Sequence, residues 1–191
     1  MHGEVPDPVR GHVMIRSALG RTAATAAAVA LAAGAVLGGG GAAAAAPAGV
    51  PTCGVAGLRA ALTDKGGHQA GMSHEGTVLR LTNTTGHTCA LRGYPGLQLE
   101  DTRHQPVETH TTWGDTYFVQ DPGRHTLYLR PGGSAEADLV WAHADAPTMV
   151  QAGYLRITPP ASHDHLTVPF AKLVTNGDLS VTAFAYRIDV S

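Results

Sequence analysis

Hydrophobic and polar residues alternate in short runs through most of the chain after residue 50. The run 77–82 (TVLRLT) places its leucines on one face, and the run 135–141 (AEADLVW) places Trp141 on one face and Glu136 and Asp138 on the other. Because successive side chains of a strand point to opposite faces, this alternation predicts half-buried strands with a solvated polar face. Similar runs occupy residues 96–100, 115–120, 126–130, 154–158 and 179–187.

Turn-forming residues separate these runs at regular intervals. Asn, Gly and Pro cluster at 83–86 (NTTG), 93–96 (GYPG), 121–123, 130–133, 158–160 and 176–178. In NTTG we expect Asn83 to bond to nearby backbone and Gly86 to adopt a left-handed conformation. Short strands with such turns predict an all-β fold, an immunoglobulin-like antiparallel β-sandwich with Trp141 in its core. The segment 55–63 fits a helix or a strand, and its pattern does not decide between them.

An alanine-rich apolar segment precedes the strand pattern. Arg10, Arg16 and Arg21 come before the apolar run 23–37, and a zone of small residues follows it. This order is typical of a secretory signal peptide. The run is too short and too rich in alanine to cross a membrane as a helix.

We therefore predict a signal peptide and low-complexity leader over residues 1–48 and a single β-sandwich domain over residues 49–191. The expected product is Sec-exported and secreted, with no stable membrane span after cleavage. Cleavage after Ala44, Ala45 or Ala48 fits equally well, and Met14 is an alternative start.

Cys53 and Cys89 are the two cysteines of the chain. An exported domain reaches an oxidising compartment, where such a pair forms a disulfide more readily than a metal or catalytic site. The bond would close a loop of about 36 residues and stabilise the fold by roughly 4 kcal/mol. A redox-active pair is disfavoured because the close CxxC spacing is missing.

The charge of the exported part argues against a nucleic-acid partner. Ten Lys and Arg face thirteen Asp and Glu from Gly49 onward, so the formal net charge is −3. Phosphate binding relies on clustered cations, and no run of basic residues follows the leader.

The block LTNTTGHTCALRGYPGLQLED, followed by LYLRPGGSAEADLVW and LRITPP, resembles a family of secreted actinobacterial proteins, the domain of unknown function four-two-three-two. The resemblance runs from Cys53 to about Ala185. It implies a β-sandwich ectodomain, often behind a signal peptide or a lipoprotein leader, and it brings no known activity.

Nine histidines follow the leader, and His163 and His165 form the sharpest local pair. Residues two apart on an extended segment share a face, so these side chains could hold Zn or Cu(II) together with His143 or His74. The competing interpretation is that all nine are ordinary surface histidines.

Two loop aromatics, Tyr94 and Trp113, are candidates for stacking against a ligand, although packing is the commoner role. The carboxylates Glu100 and Asp101 fall at expected turn or edge positions and are predicted to be solvated.

No motif of an enzyme nucleophile, phosphate loop or dinucleotide site is present. We therefore predict a secreted, non-enzymatic binding or cell-envelope-associated module without a cofactor, whose partner is an unknown envelope or extracellular ligand. The first alternative is an exported metal-binding protein that uses His163 and His165. The second is a catalytic ectodomain, because pairs of Asp or Glu can be assembled by the fold without a sequence motif.

Overall fold

The computed structural model describes residues 49–64, 69–144 and 147–190. The predicted leader, residues 1–48, and His68 lie outside the described residues. The described chain forms eleven strands. They are β1 (Leu58–Thr63), β2 (Gln69–Gly71), β3 (His74–Asn83), β4 (Cys89–Arg92), β5 (Gly96–Glu100), β6 (His110–Trp113), β7 (Thr126–Leu129), β8 (Ser134–Ala142), β9 (Met149–Thr158), β10 (Leu166–Thr175) and β11 (Asp178–Val181).

The strands form three sheets. The large sheet has the order β1-β3-β8-β11-β6, with β2 paired to β3, and the smaller sheets are β10-β9-β5 and β4-β7. The all-β prediction is therefore confirmed. One pair departs from the antiparallel expectation, because β6 runs parallel to β11.

A continuous hydrophobic core joins the three sheets. The register of the large sheet places Leu79 opposite Ala137 and Leu139 opposite Val181 on the inner face, where all four are at most 1% exposed. Trp141 lies on the same face and meets Phe170 of β10 edge to face, with ring centroids 4.9 Å apart. The predicted core position of Trp141 is thus confirmed.

Strand β8 is buried on both faces, so the expectation that Glu136 and Asp138 are solvated is wrong. Asp138 is 0% and Glu136 is 5% exposed. The Glu136 carboxylate accepts hydrogen bonds from Arg80 on β3 and from the Ile188 amide. Two irregular segments of the chain cover the outer face of β8, which carries Glu136 and Asp138. Because these segments bury that face, charged residues can alternate along a strand that is buried on both sides.

The first covering segment is the run 115–120, which was predicted as a strand and is irregular. Its backbone amides bond locally rather than to a neighbouring strand: the Thr116 amide donates to the Val119 carbonyl, and the amide of Asp121, which follows the run, donates to the Asp115 carboxylate. Phe118, which is out of phase with the alternation, lies against Gly76 of β3, whereas Tyr117 is 48% exposed. The Thr116 hydroxyl donates to Asp138 Oδ2 at 2.5 Å.

The second covering segment is the end of the chain, where the predicted strand 179–187 stops at Val181. Beyond Val181 the consecutive backbone amides no longer hydrogen-bond to a single neighbouring strand. They donate separately, Thr182 to the Asp138 carbonyl, Ala183 to the Asp121 carboxylate, Phe184 to the Gly93 carbonyl and Ala185 to the Glu136 carbonyl.

The structure settles the conformation of residues 55–63 and adds a strand, β10, that the sequence pattern did not predict. Residues 55–63 form a short 3-10 turn, Val55–Gly57, followed by β1. Strand β10 was not predicted, because its alternation breaks at a register shift between Pro169 and Lys172. Proline is accommodated there because β10 is an edge strand, where a missing amide donor breaks no ladder.

The turn after β3 depends on the Asn83 side chain, as predicted. Asn83 Nδ2 donates to the carbonyls of His87 and Leu129, both at 2.8 Å, and Oδ1 accepts from the Thr85 amide and hydroxyl. The left-handed conformation expected for Gly86 is wrong. It is found instead at Gly93, whose φ is 110°.

The predicted Cys53–Cys89 disulfide is confirmed. Both cysteines are buried, and their Cα atoms are 4.9 Å apart. Hydrogen bonds reinforce the link, since the Cys53 amide donates to the Ala90 carbonyl and the Ala90 amide donates to the Pro51 carbonyl. The first described segment is thereby fixed along β4.

We predict that Asp138→Asn stabilises the domain at pH 7. Burial raises the pKa of Asp138 above its ordinary value of 3.8 and outweighs the side-chain hydrogen bonds of Thr116 and Gln69, which act to lower it. Asparagine keeps an acceptor for Thr116 and removes a poorly compensated charge, so a gain of about 1–3 kcal/mol is expected in urea unfolding.

The gain should shrink as the pH is lowered toward 4. A carboxyl group whose pKa is raised in the folded state stabilises the fold most at pH values below its unfolded pKa. This stabilisation is lost as the pH rises through the folded pKa. Thr116→Val serves as the control, because it removes the donor and should destabilise. A less stable Asp138→Asn variant with unchanged pH dependence would contradict this account.

Candidate functional site

The structure brings Tyr94 and Trp113 together, although they are separated by a whole strand and loop in the sequence. Their ring centroids are 6.0 Å apart and the planes differ by 25°. Trp113 is 55% exposed and Tyr94 is half-buried. At this separation the rings contact each other, so a ligand ring would lie against the outer surface of the pair rather than between the rings.

Each aromatic is fixed by one hydrogen bond. Trp113 ends edge strand β6 and donates from Nε1 to the Pro95 carbonyl at 3.0 Å. The Tyr94 hydroxyl donates to Asp121 Oδ2 at 2.5 Å, while Asp121 Oδ1 accepts from the Ala183 amide. The covering segments of β8 therefore hold the side chain of Tyr94 in place.

This hydrogen bond also sets the ionisation of Tyr94. The bond to Asp121 stabilises the neutral phenol and raises the pKa of Tyr94 above 10.0, and partial burial and the Asp121 charge add to the effect. Tyr94 is thus an uncharged donor whose proton is already committed to Asp121.

Two arginines complete the site. Arg92 ends β4, and Arg124 lies in the turn before β7 with its guanidinium 5.1 Å from the centre of the Tyr94 ring. Both side chains are exposed, and neither has a carboxylate within ion-pair distance among the described residues. Sequence reasoning missed both, because no basic run or local motif marks them.

These residues line an open cavity of about 420 Å³, which we call the aromatic–arginine pocket. Gly93, Pro160 and Ala161 form the rest of its lining. The volume falls within the range of small-molecule sites, about 300–1,000 Å³. The Tyr94 hydroxyl and the Trp113 indole N–H are already bonded, and the Arg124 guanidinium also hydrogen-bonds Tyr94. The polar groups that remain for a ligand are the other N–H groups of the two guanidiniums, which donate only. The pocket therefore suits a ligand that is an acceptor and has an apolar face.

The proposed metal ligands are not assembled in the described part of the chain. His163 and His165 are both exposed and lie in the connection before β10. The described residues contain no group of three or more His, Cys, Asp or Glu placed to hold a metal ion, so neither His143 nor His74 completes a site with this pair.

A second polar cluster surrounds Glu100, and the expectation that this carboxylate is solvated is wrong. Glu100 is 2% exposed, pairs with Arg156 and accepts a hydrogen bond from His104 Nδ1 at 3.1 Å. His104 stacks on Tyr154, with centroids 3.9 Å apart. Asp101 beside it accepts the amides of Arg103 and Gln105, which forms the turn after β5.

The Glu100 cluster has the geometry of a turn support. Burial acts to raise the pKa of Glu100, but the hydrogen bonds from His104 and Arg156 and their charges outweigh it and hold the pKa below 4.5. No Ser, Thr or Cys side chain hydrogen-bonds a histidine ring among the described residues, so the pairing that activates a nucleophile is not seen there.

Another cavity, of about 320 Å³, opens between β1 and β10 beside Trp141 and Phe170. Its cation is already neutralised, because Lys172 Nζ lies 2.9 Å from Glu75 Oε2. The unpaired cations of the aromatic–arginine pocket make that pocket the stronger candidate for ligand binding.

Residues 53–185 match the family described as Domain of unknown function (DUF4232), and the chain belongs to this family. The matched region contains the complete aromatic–arginine pocket and both cysteines. No curated protein matches the chain. No described helix is long and apolar enough to cross a membrane.

We predict that iodide quenches the fluorescence of Trp113 more effectively than the charge-neutral quencher acrylamide does, relative to free tryptophan. Arg92 and Arg124 raise the local anion concentration, so replacing both with Gln should lower iodide quenching about twofold and leave acrylamide quenching unchanged. Trp141 is 3% exposed, so Trp113→Phe supplies the unquenched control. Equal iodide quenching before and after the arginine changes would show that the pocket is not electropositive.

We also predict that Glu100→Gln destabilises the domain at pH 7 by about 2–3 kcal/mol. The change leaves Arg156 without its partner, and the cost falls below that of a fully buried pair because the Arg156 side chain is 30% exposed. Because the pKa of Glu100 is lower in the folded than in the unfolded protein, its carboxylate stabilises the fold at pH values above the unfolded pKa. This stabilisation is lost as the pH falls through the folded pKa.

Urea unfolding between pH 7 and pH 3 should therefore show the two proteins converging in acid. Glu108→Gln is the matched control, because Glu108 pairs with His110 on the exposed surface and should change stability by no more than about 0.5 kcal/mol. A constant difference at all pH values would contradict the assignment to Glu100 ionisation.

Proposed function

We propose that this protein is a secreted, non-enzymatic binding module that holds a ligand of the cell envelope or its surroundings in the aromatic–arginine pocket. The observation that carries the proposal is that an exposed indole lines one cavity with two arginines that have no carboxylate partner in the part of the chain that the structure describes. Unpaired guanidiniums beside an exposed aromatic are common in recognition sites, because stacking and charge-assisted hydrogen bonds act on the same ligand.

Export is supported by two independent features. The order of charged, apolar and small residues in the leader is typical of a signal peptide. The Cys53–Cys89 disulfide is consistent with an oxidising compartment.

A binding role without catalysis is supported by how the polar groups of the pocket are used. Tyr94 is uncharged and bonded to Asp121, and Asp121 is also bonded to the Ala183 amide. This leaves donors and apolar surface, which can hold a ligand but offer no free general base.

We predict that Trp113→Ala weakens binding of the residue 49–191 protein to immobilised envelope polysaccharide of the source organism by about tenfold or more. Loss of the stacking surface reduces the binding free energy by about 1.4 kcal/mol or more, which corresponds to a tenfold or larger increase in Kd. Biolayer interferometry provides the measurement.

Trp113→Phe keeps an aromatic ring and should retain most of the affinity. Near-ultraviolet circular dichroism from Trp141 checks that each variant is folded, because that side chain lies in the core. Equal binding by a folded Trp113→Ala variant would remove the pocket from the function, and so would an absence of binding by the unsubstituted protein.

A further inference from the structure

The outward face of the β4–β7 sheet continues directly from the aromatic–arginine pocket. The register pairs Arg92 with Thr126 and Ala90 with Tyr128. The leucines of β7 are buried, whereas the residues that alternate with them are exposed, and so is Arg130 just beyond the strand. One exposed row of side chains therefore begins at the pocket and runs along the sheet.

The unpaired arginines of the domain concentrate on this row. Four of the eight described arginines pair with a carboxylate among the described residues, namely Arg80, Arg103, Arg156 and Arg187. Three of the other four, Arg92, Arg124 and Arg130, lie on the β4–β7 sheet or at its ends, and the fourth is Arg59 on β1. In a domain of net negative charge, this distribution creates a local positive surface.

A second aromatic cavity lies at the far end of the row. It measures about 390 Å³ and is lined in part by Tyr128, Arg130 and Tyr186. The two tyrosines are 54% and 58% exposed. The Tyr186 hydroxyl accepts a hydrogen bond from the Tyr128 amide at 2.8 Å, which fixes the C-terminal segment against the edge of β7. This cavity repeats the combination of exposed rings with an unpaired guanidinium.

The register gives the spacing of the two ends. Arg92 lies level with Thr126, and Tyr128 and Arg130 follow two and four residues further along the chain. At about 3.3 Å per residue, Arg130 lies roughly 13 Å beyond the position of Arg92. The two cavities are thus too far apart for one small ring to fill both, but a short linear polymer can reach from one to the other.

We propose that the two cavities and the sheet between them form one binding strip for a linear acidic polysaccharide. The basic strip, as we call it, consists of Arg92, Trp113, Arg124, Tyr128, Arg130 and Tyr186. This inference rests on the proposed function and names the class of its ligand.

The chemistry of the strip selects this ligand class. Its guanidiniums donate hydrogen bonds and carry charge, so they match carboxylate or phosphate groups along a chain. Its aromatic faces are electron-rich and favour contact with the C–H face of a sugar ring. Because the rings and arginines remain largely exposed, the bound polymer keeps its hydroxyl groups in water.

Single-stranded nucleic acid also combines stacking with phosphate contacts. The basic strip offers three arginines on a domain whose formal charge from Gly49 onward is −3, which disfavours a polymer with a phosphate at every nucleotide. The acidic polysaccharide is therefore the favoured ligand, and nucleic acid is tested alongside it.

The experiment measures binding of the residue 49–191 protein to oligogalacturonates of two lengths by isothermal titration calorimetry. The short oligomer fits one cavity and the long one spans both. We expect the long oligomer to bind at least fivefold more tightly than the short one, and Arg130→Gln to remove most of that advantage. Arg59→Gln makes the same charge change outside the strip and should leave both Kd values unchanged.

Methyl-esterified oligogalacturonate keeps the sugar chain and removes the charge, so it should bind at least tenfold more weakly. Equal binding of ester and acid overturns the anionic class, and equal Kd values for the two lengths overturn the strip. In either case, if Trp113→Ala still raises the Kd of the oligogalacturonate, the proposed binding function of the aromatic–arginine pocket is retained and only the basic strip is rejected. Tighter binding of oligothymidylate or polyglutamate than of the long oligogalacturonate also overturns the proposal.

Discussion

The burial of strand β8 on both faces is the constraint on which the rest of the structure depends. Its inner face is apolar and packs into the core, whereas its outer face carries Glu136 and Asp138. Carboxyl groups removed from water need hydrogen-bond partners, and irregular chain supplies these partners more flexibly than a second sheet could. Arg80, Thr116 and the C-terminal segment therefore close over the outer face and fix the loops that they belong to.

The geometry of the candidate site depends on the two irregular segments that cover the outer face of β8. The amides of Ala183 and Phe184 extend from the segment that pairs with β8, and they bond to Asp121 and to the Gly93 carbonyl. Asp121 in turn accepts a hydrogen bond from the Tyr94 hydroxyl. The position of Tyr94, a half-buried aromatic of the pocket, is thus determined by a network that begins at a buried strand, which explains how a rigid recognition surface can be built from loops.

The distribution of charge distinguishes structural from binding cations. Arg80 and Arg156 face buried carboxylates and support the fold, while the arginines around the β4–β7 sheet have no such partner in the described chain. Keeping a guanidinium unpaired in an acidic domain makes it available to an external anion. The same side chains therefore have different roles according to the carboxylates that the fold places beside them.

Local periodicity, turn chemistry and the presence of two cysteines were enough to predict most of the strands, the turn at Asn83, the core position of Trp141 and the disulfide; the run 115–120 and strand β10 were among the exceptions. The sequence did not determine the second cover of β8, because Glu136 and Asp138 alternate as a solvated face would. It also could not assemble the pocket. Tyr94, Trp113 and the arginines come from separate strands and turns, and only the tertiary structure places them within contact, since their proximity depends on pairings between residues far apart in the chain.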